Sequence, residues 1–110
     1  MSNFVIKQND LSPSIQTQLL DGSGDAVDIT GNLGVTFHMR MAIDPFSVII
    51  DEAATVVDAT TGTVRYDWSS GDTDTNGVYQ AEFEVIYADS KPETFPNDGY
   101  ITVNVIDDIA

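Results

Sequence analysis

Apolar and polar residues alternate along most of the chain. Val35, Phe37, Met39 and Met41 alternate with Thr36, His38 and Arg40, and Val64, Tyr66 and Trp68 with Thr63, Arg65 and Asp67. Ile101, Val103 and Val105 alternate with Thr102 and Asn104. The longest stretch sets Tyr79, Ala81, Phe83, Val85 and Tyr87 against Gln80, Glu82, Glu84 and Ala88, broken only at Ile86. Successive strand side chains point to opposite faces, so this period of two predicts strands with one buried and one wetted face. Shorter strands are expected at residues 4–8, 15–20, 27–29, 47–50 and 55–58. Residues 47–54 could in principle wind into a helical turn, but the run Val48-Ile49-Ile50 favours a strand.

Turn-forming clusters separate these stretches. They are Asp21-Gly22-Ser23-Gly24-Asp25, Thr30-Gly31-Asn32, Asp44-Pro45, Thr61-Gly62, Asn76-Gly77 and Pro96-Asn97-Asp98-Gly99. No helical period of useful length, internal repeat or linker interrupts the pattern. Short strands with a turn every 8–12 residues or so predict an all-β chain, an antiparallel β-sandwich of about seven to nine strands. The length of 110 residues suits one such domain, and 42% hydrophobic residues suffice for one core.

Charge changes the picture more than size does. Four Lys and Arg stand against 18 Asp and Glu, for a net charge of −14. Nucleic acid and anionic membrane both require clustered cations, so neither is expected as a partner. The acids are scattered along the chain, as in a coat that maintains solubility; the same charge also suits a basic neighbour. There is no cysteine, so neither a disulfide nor thiolate chemistry is available. The opening residues lack the apolar core and cleavage site of an export signal, and synthesis and use without conventional export are expected. No run is long enough for a membrane span.

Candidate chemistry is sparse. Asp72-Thr73-Asp74-Thr75-Asn76-Gly77 has the opening of a calcium-binding EF-hand loop. Counted from Asp72, however, the position of the bidentate Glu is held by Phe83, with Glu82 and Glu84 on either side. The EF-hand reading fails on that count, and the strand pattern after Gly77 leaves no room for the second helix. Asp72, Asp74 and Asn76 remain weak candidates for a looser calcium site. The spacing Thr75-x-Gly77-x-Tyr79-x-Ala81 instead matches the D-x-G-x-Y-x-C segment of immunoglobulin-like domains, with Thr for Asp and Ala for Cys. There Gly77 would take the corner and the Tyr79 hydroxyl would bond upstream backbone, a tyrosine corner.

Other groups fare less well. His38 is the only histidine and lies on an outward parity, where a surface role is expected. Ser69-Ser70-Gly71 is not a nucleophile elbow. Glu82 and Glu84 lie about 7 Å apart on one strand face, a spacing compatible with a carboxylate pair but usual for a solvated surface. Asp21 to Asp25, with Asp28 nearby, reads as a hairpin turn rather than a cation loop. A sugar platform needs two exposed coplanar rings, and Tyr100 alone is expected on the surface, since Tyr66 and Trp68 share the parity of Val64. No catalytic residue, metal or cofactor is expected.

The order of several segments resembles a known family. These are Lys7-Gln8-Asn9-Asp10-Leu11-Ser12-Pro13-Ser14-Ile15, Leu20-Asp21-Gly22-Ser23-Gly24-Asp25-Ala26-Val27-Asp28-Ile29-Thr30-Gly31 and Val35-Thr36-Phe37-His38-Met39-Arg40. Gly77-Val78-Tyr79-Gln80-Ala81-Glu82-Phe83 and Glu93-Thr94-Phe95-Pro96-Asn97-Asp98-Gly99-Tyr100 follow. Together, from about Phe4 to Val105, they resemble the N-terminal domain of the phage upper baseplate protein family (BppU-like). The resemblance implies an immunoglobulin-like β-sandwich in a virion, without catalysis, that attaches receptor-binding apparatus to the tail tip. Family members often continue into a linker and trimerising region, whereas this chain stops at Ala110, so a minimal stand-alone module is expected. Its partners would then be other virion proteins in a symmetric multi-copy assembly, met after assembly in the host cytoplasm. Residues 1–10 are the expected docking arm, with Asn3, Phe4, Val5 and Ile6 as its contact residues, because a terminus is mobile until a partner fixes it. Capsid decoration, a neck protein, or a calcium- or carbohydrate-dependent adhesion module are the alternatives.

Overall fold

The computed structural model describes residues 3–109, and the alternating stretches form strands in the parity their sequence dictates. In chain order these are β1 (Asn3–Lys7), β2 (Ile15–Gln18), β3 (Gly34–Met41), β4 (Val48–Ala53), β5 (Thr55–Asp58), β6 (Thr63–Tyr66), β7 (Gly77–Ile86), β8 (Pro92–Phe95) and β9 (Ile101–Ile106). No helix occurs among the described residues.

The strands make two sheets. The larger runs β1-β9-β7-β3-β4, with β8 also pairing β7; the smaller runs β2-β6-β5. One edge of β7 is filled by β3 through eight paired positions from Gly34↔Ile86 to Met41↔Tyr79. Its other edge is shared: β9 pairs Gly77 to Ala81, and β8 pairs Phe83 to Ile86. β8 and β9 are thus two halves of one interrupted strand, with residues 96–100 looped out between them. β4 and β5 are separated only by Ala54, whose N–H donates to the Val35 carbonyl at 2.8 Å, and here the chain passes from the large sheet to the small one.

The inward parities of both sheets meet in one core. Phe37, Phe83, Val64, Val85, Val103 and the loop residue Ile29 are fully inaccessible to solvent. Phe37 is the centre of an aromatic group. It stacks on Tyr66 with centroids 4.5 Å apart, meets Trp68 edge-on at 5.9 Å and contacts Phe83 at 5.0 Å. The stack on Tyr66 joins the large sheet to the small one, whereas Phe83 is the cross-strand neighbour of Phe37 within the large sheet. The Trp68 indole N–H donates to the Pro13 carbonyl at 3.0 Å, so its one polar atom is satisfied in the interior.

The all-β sandwich agrees with the periodicity, but three details differ from it. The sandwich is not wholly antiparallel: β1 runs parallel to β9, from Asn3↔Thr102 to Lys7↔Ile106. Residues 27–29 form no strand. Leu20 and Ala26 make a single antiparallel bridge, and Ile29 is buried from a loop by its Ala59 hydrogen bond. β8 was not expected, because Pro92-Glu93-Thr94-Phe95 offers one apolar inward residue and opens on proline.

Candidate docking interface

β1 is an edge strand, and its alternation divides its side chains cleanly. Ile6 is buried, and Phe4 packs inward against Trp68 at 5.8 Å between ring centroids. Val5 points out, paired with Asn104, and is 55% exposed. Asn3, Phe4, Val5 and Ile6 are therefore part of the folded sheet rather than a free arm; residues 1 and 2 of the expected arm lie outside the described residues. The physical reason is the apolar parity of Phe4 and Ile6, which pairing with β9 turns onto the core.

The segment after β1 is held by the acidic turn. Gln8 donates its side-chain N–H to the Asp74 carbonyl at 2.8 Å, and the Asn9 N–H donates to the Thr73 carbonyl at 2.9 Å. Thr73, 1% exposed, returns a hydroxyl bond to the Asp10 carbonyl at 2.9 Å. The Gln8 N–H extends the β1 ladder by one bond to the Ile106 carbonyl at 2.7 Å. The turn spanning Asp72 to Gly77 is thus a clasp for the start of the chain. Gln8 and Thr73 were not singled out from sequence, and the only signal for them is a Thr embedded in a turn of acids.

The same turn is built around carboxylate and hydroxyl groups. The Asp72 carboxylate accepts the Tyr66 hydroxyl at 2.6 Å and the Ser69 N–H at 2.8 Å through one oxygen. Burial, reinforced by that carboxylate, holds the Tyr66 hydroxyl well above its ordinary pKa. The Tyr79 hydroxyl donates to the Thr75 carbonyl at 2.7 Å, and burial, then Asp74, raises its pKa as well. Gly77 opens β7 beneath this ring, with Tyr79 ring atoms 3.8 Å from where a Cβ would stand. Asn76 donates to the Asp107 carboxylate, and Asp74 accepts the Thr75 hydroxyl at 3.1 Å. Asp72, Asp74 and Asn76 are thereby directed to separate partners, and among the described residues no three His, Asp or Glu converge as a metal cage.

On the outer face of the large sheet, cross-strand register sets up rows. Asp51, His38 and Glu82 form one, and Val48, Arg40, Gln80 and Thr102 the next. Val78, Asn104 and Val5 follow. His38 stands between two carboxylates, Nε2 3.2 Å from Asp51 and Nδ1 3.3 Å from Glu82, and it ties edge strand β4 to the centre of the sheet. It is partly covered rather than a plain surface residue. The Arg40 guanidinium lies 5.2 Å from the Phe46 ring centroid and 5.0 Å from that of Tyr100, and donates to Gln80 at 2.9 Å and to the Tyr100 hydroxyl at 3.2 Å. Tyr100 is 38% exposed, but its ring is engaged by Arg40, while Tyr66 and Trp68 are buried. A shallow groove of about 370 Å³ runs between Val48, Tyr100, Gln80 and Glu82.

The remaining polar loops are self-contained. Asp21 caps its own turn by accepting the Ser23 and Asp25 N–H groups. The Tyr87 hydroxyl donates to Glu93 at 2.5 Å, and burial followed by this bond pushes its pKa up to about 12. A cleft of about 520 Å³ lies where β2 and the turn at Asp21 face the loop of Pro96, Asn97 and Asp98; its floor, Leu19, Phe95 and Ile101, belongs to the core.

Residues 6–108 match the family model described as the BppU N-terminal domain, so the chain belongs to that family. No curated protein matches it by sequence. Membership implies a structural protein of the phage baseplate or tail that meets other virion proteins, from a family that is structural rather than catalytic.

Proposed function

We propose that this BppU-family domain is a docking module of the phage tail or baseplate and that it docks through the outer edge of β1. The observation that carries the reading is the contrast among strand edges. An open edge presents unpaired N–H and C=O groups that a second chain can extend, and folded proteins usually guard it. β4 and β5 carry register shifts, β8 opens on Pro92, and β2 is only four residues long. β1 keeps five consecutive paired positions with no bulge or proline, and Val5 stands exposed on it.

The acidic clasp supports the same role, because it fixes the strand before a partner arrives. A preformed edge loses less conformational entropy on binding than a loose arm. Repetition by the symmetry of the particle would multiply a modest single contact. A cryo-electron-microscopy reconstruction of particles carrying this protein tests the reading. The expected result is density at the tail tip with a neighbour's strand about 4.8 Å from β1. Density on the capsid or neck would move the function to decoration or joining, and absence from the particle would overturn it.

A further inference from the structure

The two outer faces of the sandwich are chemically unlike. On the small sheet the outward residues Gln16, Gln18, Thr63, Arg65 and Thr55 are polar, and Val57, 44% exposed at the irregularity of β5, is the exception. On the large sheet the outward residues at one end are Val78 and Val48, 50% and 65% exposed, with Phe46 and Tyr100 beside them. At the other end stand Asp51, Glu82 and Glu84. An apolar patch bordered by one sign of charge marks a protein contact.

From this division we infer that the outer face of the large sheet seats a different protein, one presenting an apolar centre flanked on one side by Lys or Arg. The inference rests on the docking reading and extends it from the β1 edge to the adjoining face. Charge selects the occupant. A second copy would bring another −14 to a face on which the basic side chains His38 and Arg40 are already engaged by Asp51, Glu82, Gln80 and Tyr100. A basic flank meets the acidic row without that repulsion. Arg40, held between two rings and two acceptors, supplies a rigid centre of the kind that aromatic and Arg anchors give to interfaces. The five strands β1, β9, β7, β3 and β4, about 4.8 Å apart and rising about 3.3 Å per residue, offer roughly 550 Å². That contact is smaller than the ~800 Å² per partner of a standard stable interface and is suited to repetition in a multi-copy particle.

The experiment compares Val78→Glu and Glu84→Lys with Gln16→Glu on the opposite face and with Val5→Pro, which takes away a backbone N–H of β1 that faces away from β9. Purified variants are checked by thermal unfolding, and copies per particle are counted by quantitative mass spectrometry. Val78→Glu and Glu84→Lys are expected to lower incorporation at least roughly tenfold while melting near the wild type, and Gln16→Glu to incorporate normally. Normal incorporation of both large-face variants overturns the inference. If Val5→Pro then still fails to incorporate, edge docking survives alone; if only the large-face variants fail, the edge reading falls instead. A photo-crosslinker at position 78 adds a second measurement. Its product is expected on another virion protein close to Lys or Arg, and a product joining two copies of this chain would refute the stated partner.

Discussion

Gly62 and Gly24 provide a controlled pair. Both sit in the left-handed region, with φ of +67° and +85°, so alanine at either carries the same backbone strain, about 1 kcal/mol. They differ in the space available. Around Gly24 a Cβ would meet nothing within 4 Å, whereas at Gly62 it would stand 2.3 Å from the Val27 carbonyl oxygen and 3.4 Å from that of Leu19. The Val27 oxygen is backbone and cannot rotate away. Relief requires the 62 segment to move by about 1 Å, which disturbs the Leu19 N–H bond to the Gly62 carbonyl at 2.8 Å and the burial of Leu19. Overpacking of this kind, with the weakened bond, adds about 3 kcal/mol. At about 2.1 cal/mol/K per residue, a chain of 110 residues loses about 4 °C of Tm per kcal/mol. Gly24→Ala should thus lower Tm by about 4 °C and Gly62→Ala by roughly 15 °C. Circular dichroism melts at fixed concentration, with urea midpoints at low temperature as a check on m, measure both. Equal shifts for the two variants would refute the argument from close approach.

Two further outcomes follow from the tyrosines. Tyr79→Phe removes a hydroxyl bond at 2.7 Å to a carbonyl on an exposed residue that water can reach, so the loss should be about 1 kcal/mol, read as a Tm drop of about 4 °C. In alkali, Tyr66, Tyr79 and Tyr87 are all held protonated by the fold, with Tyr87 at about 12, so the unfolded chain releases protons first. Their contribution is complete below pH about 10 and is lost as pH rises through the folded values; urea midpoints should fall from pH 10 towards 12, and a midpoint that stays flat would contradict it.

Parity was readable in the sequence because it is a local property. The faces of β3, β6, β7 and β9, and the burial of Phe37, Phe83 and Val103, follow from residues two apart. Pairing is not local. Nothing in Asn3-Phe4-Val5-Ile6-Lys7 specifies that it will lie parallel to a strand nearly a hundred residues later, so its incorporation into the sheet was hidden. β8 was hidden for a different reason: it is held by β7 beside it and not by its own pattern. The spacing from Thr75 to Tyr79 could be seen, since both ends lie within one short motif. The clasp by Thr73 and Gln8 could not, because its halves are 65 positions apart. His38 was legible as outward-facing, but its two carboxylates come from β4 and β7 and depend on register.

The parallel pairing of β1 and β9 also governs how the domain carries load. Asn3 and Ile106 lie at opposite ends of that ladder, so tension applied through the two ends of the chain pulls the strands past each other lengthwise. All five paired positions then bear the force together, and none can open until the whole set slips. Had the pair been antiparallel, the same tension would have met it at one end and parted it bond by bond. The geometry favours a part that holds its shape while pulled and, past its limit, gives way in a single event.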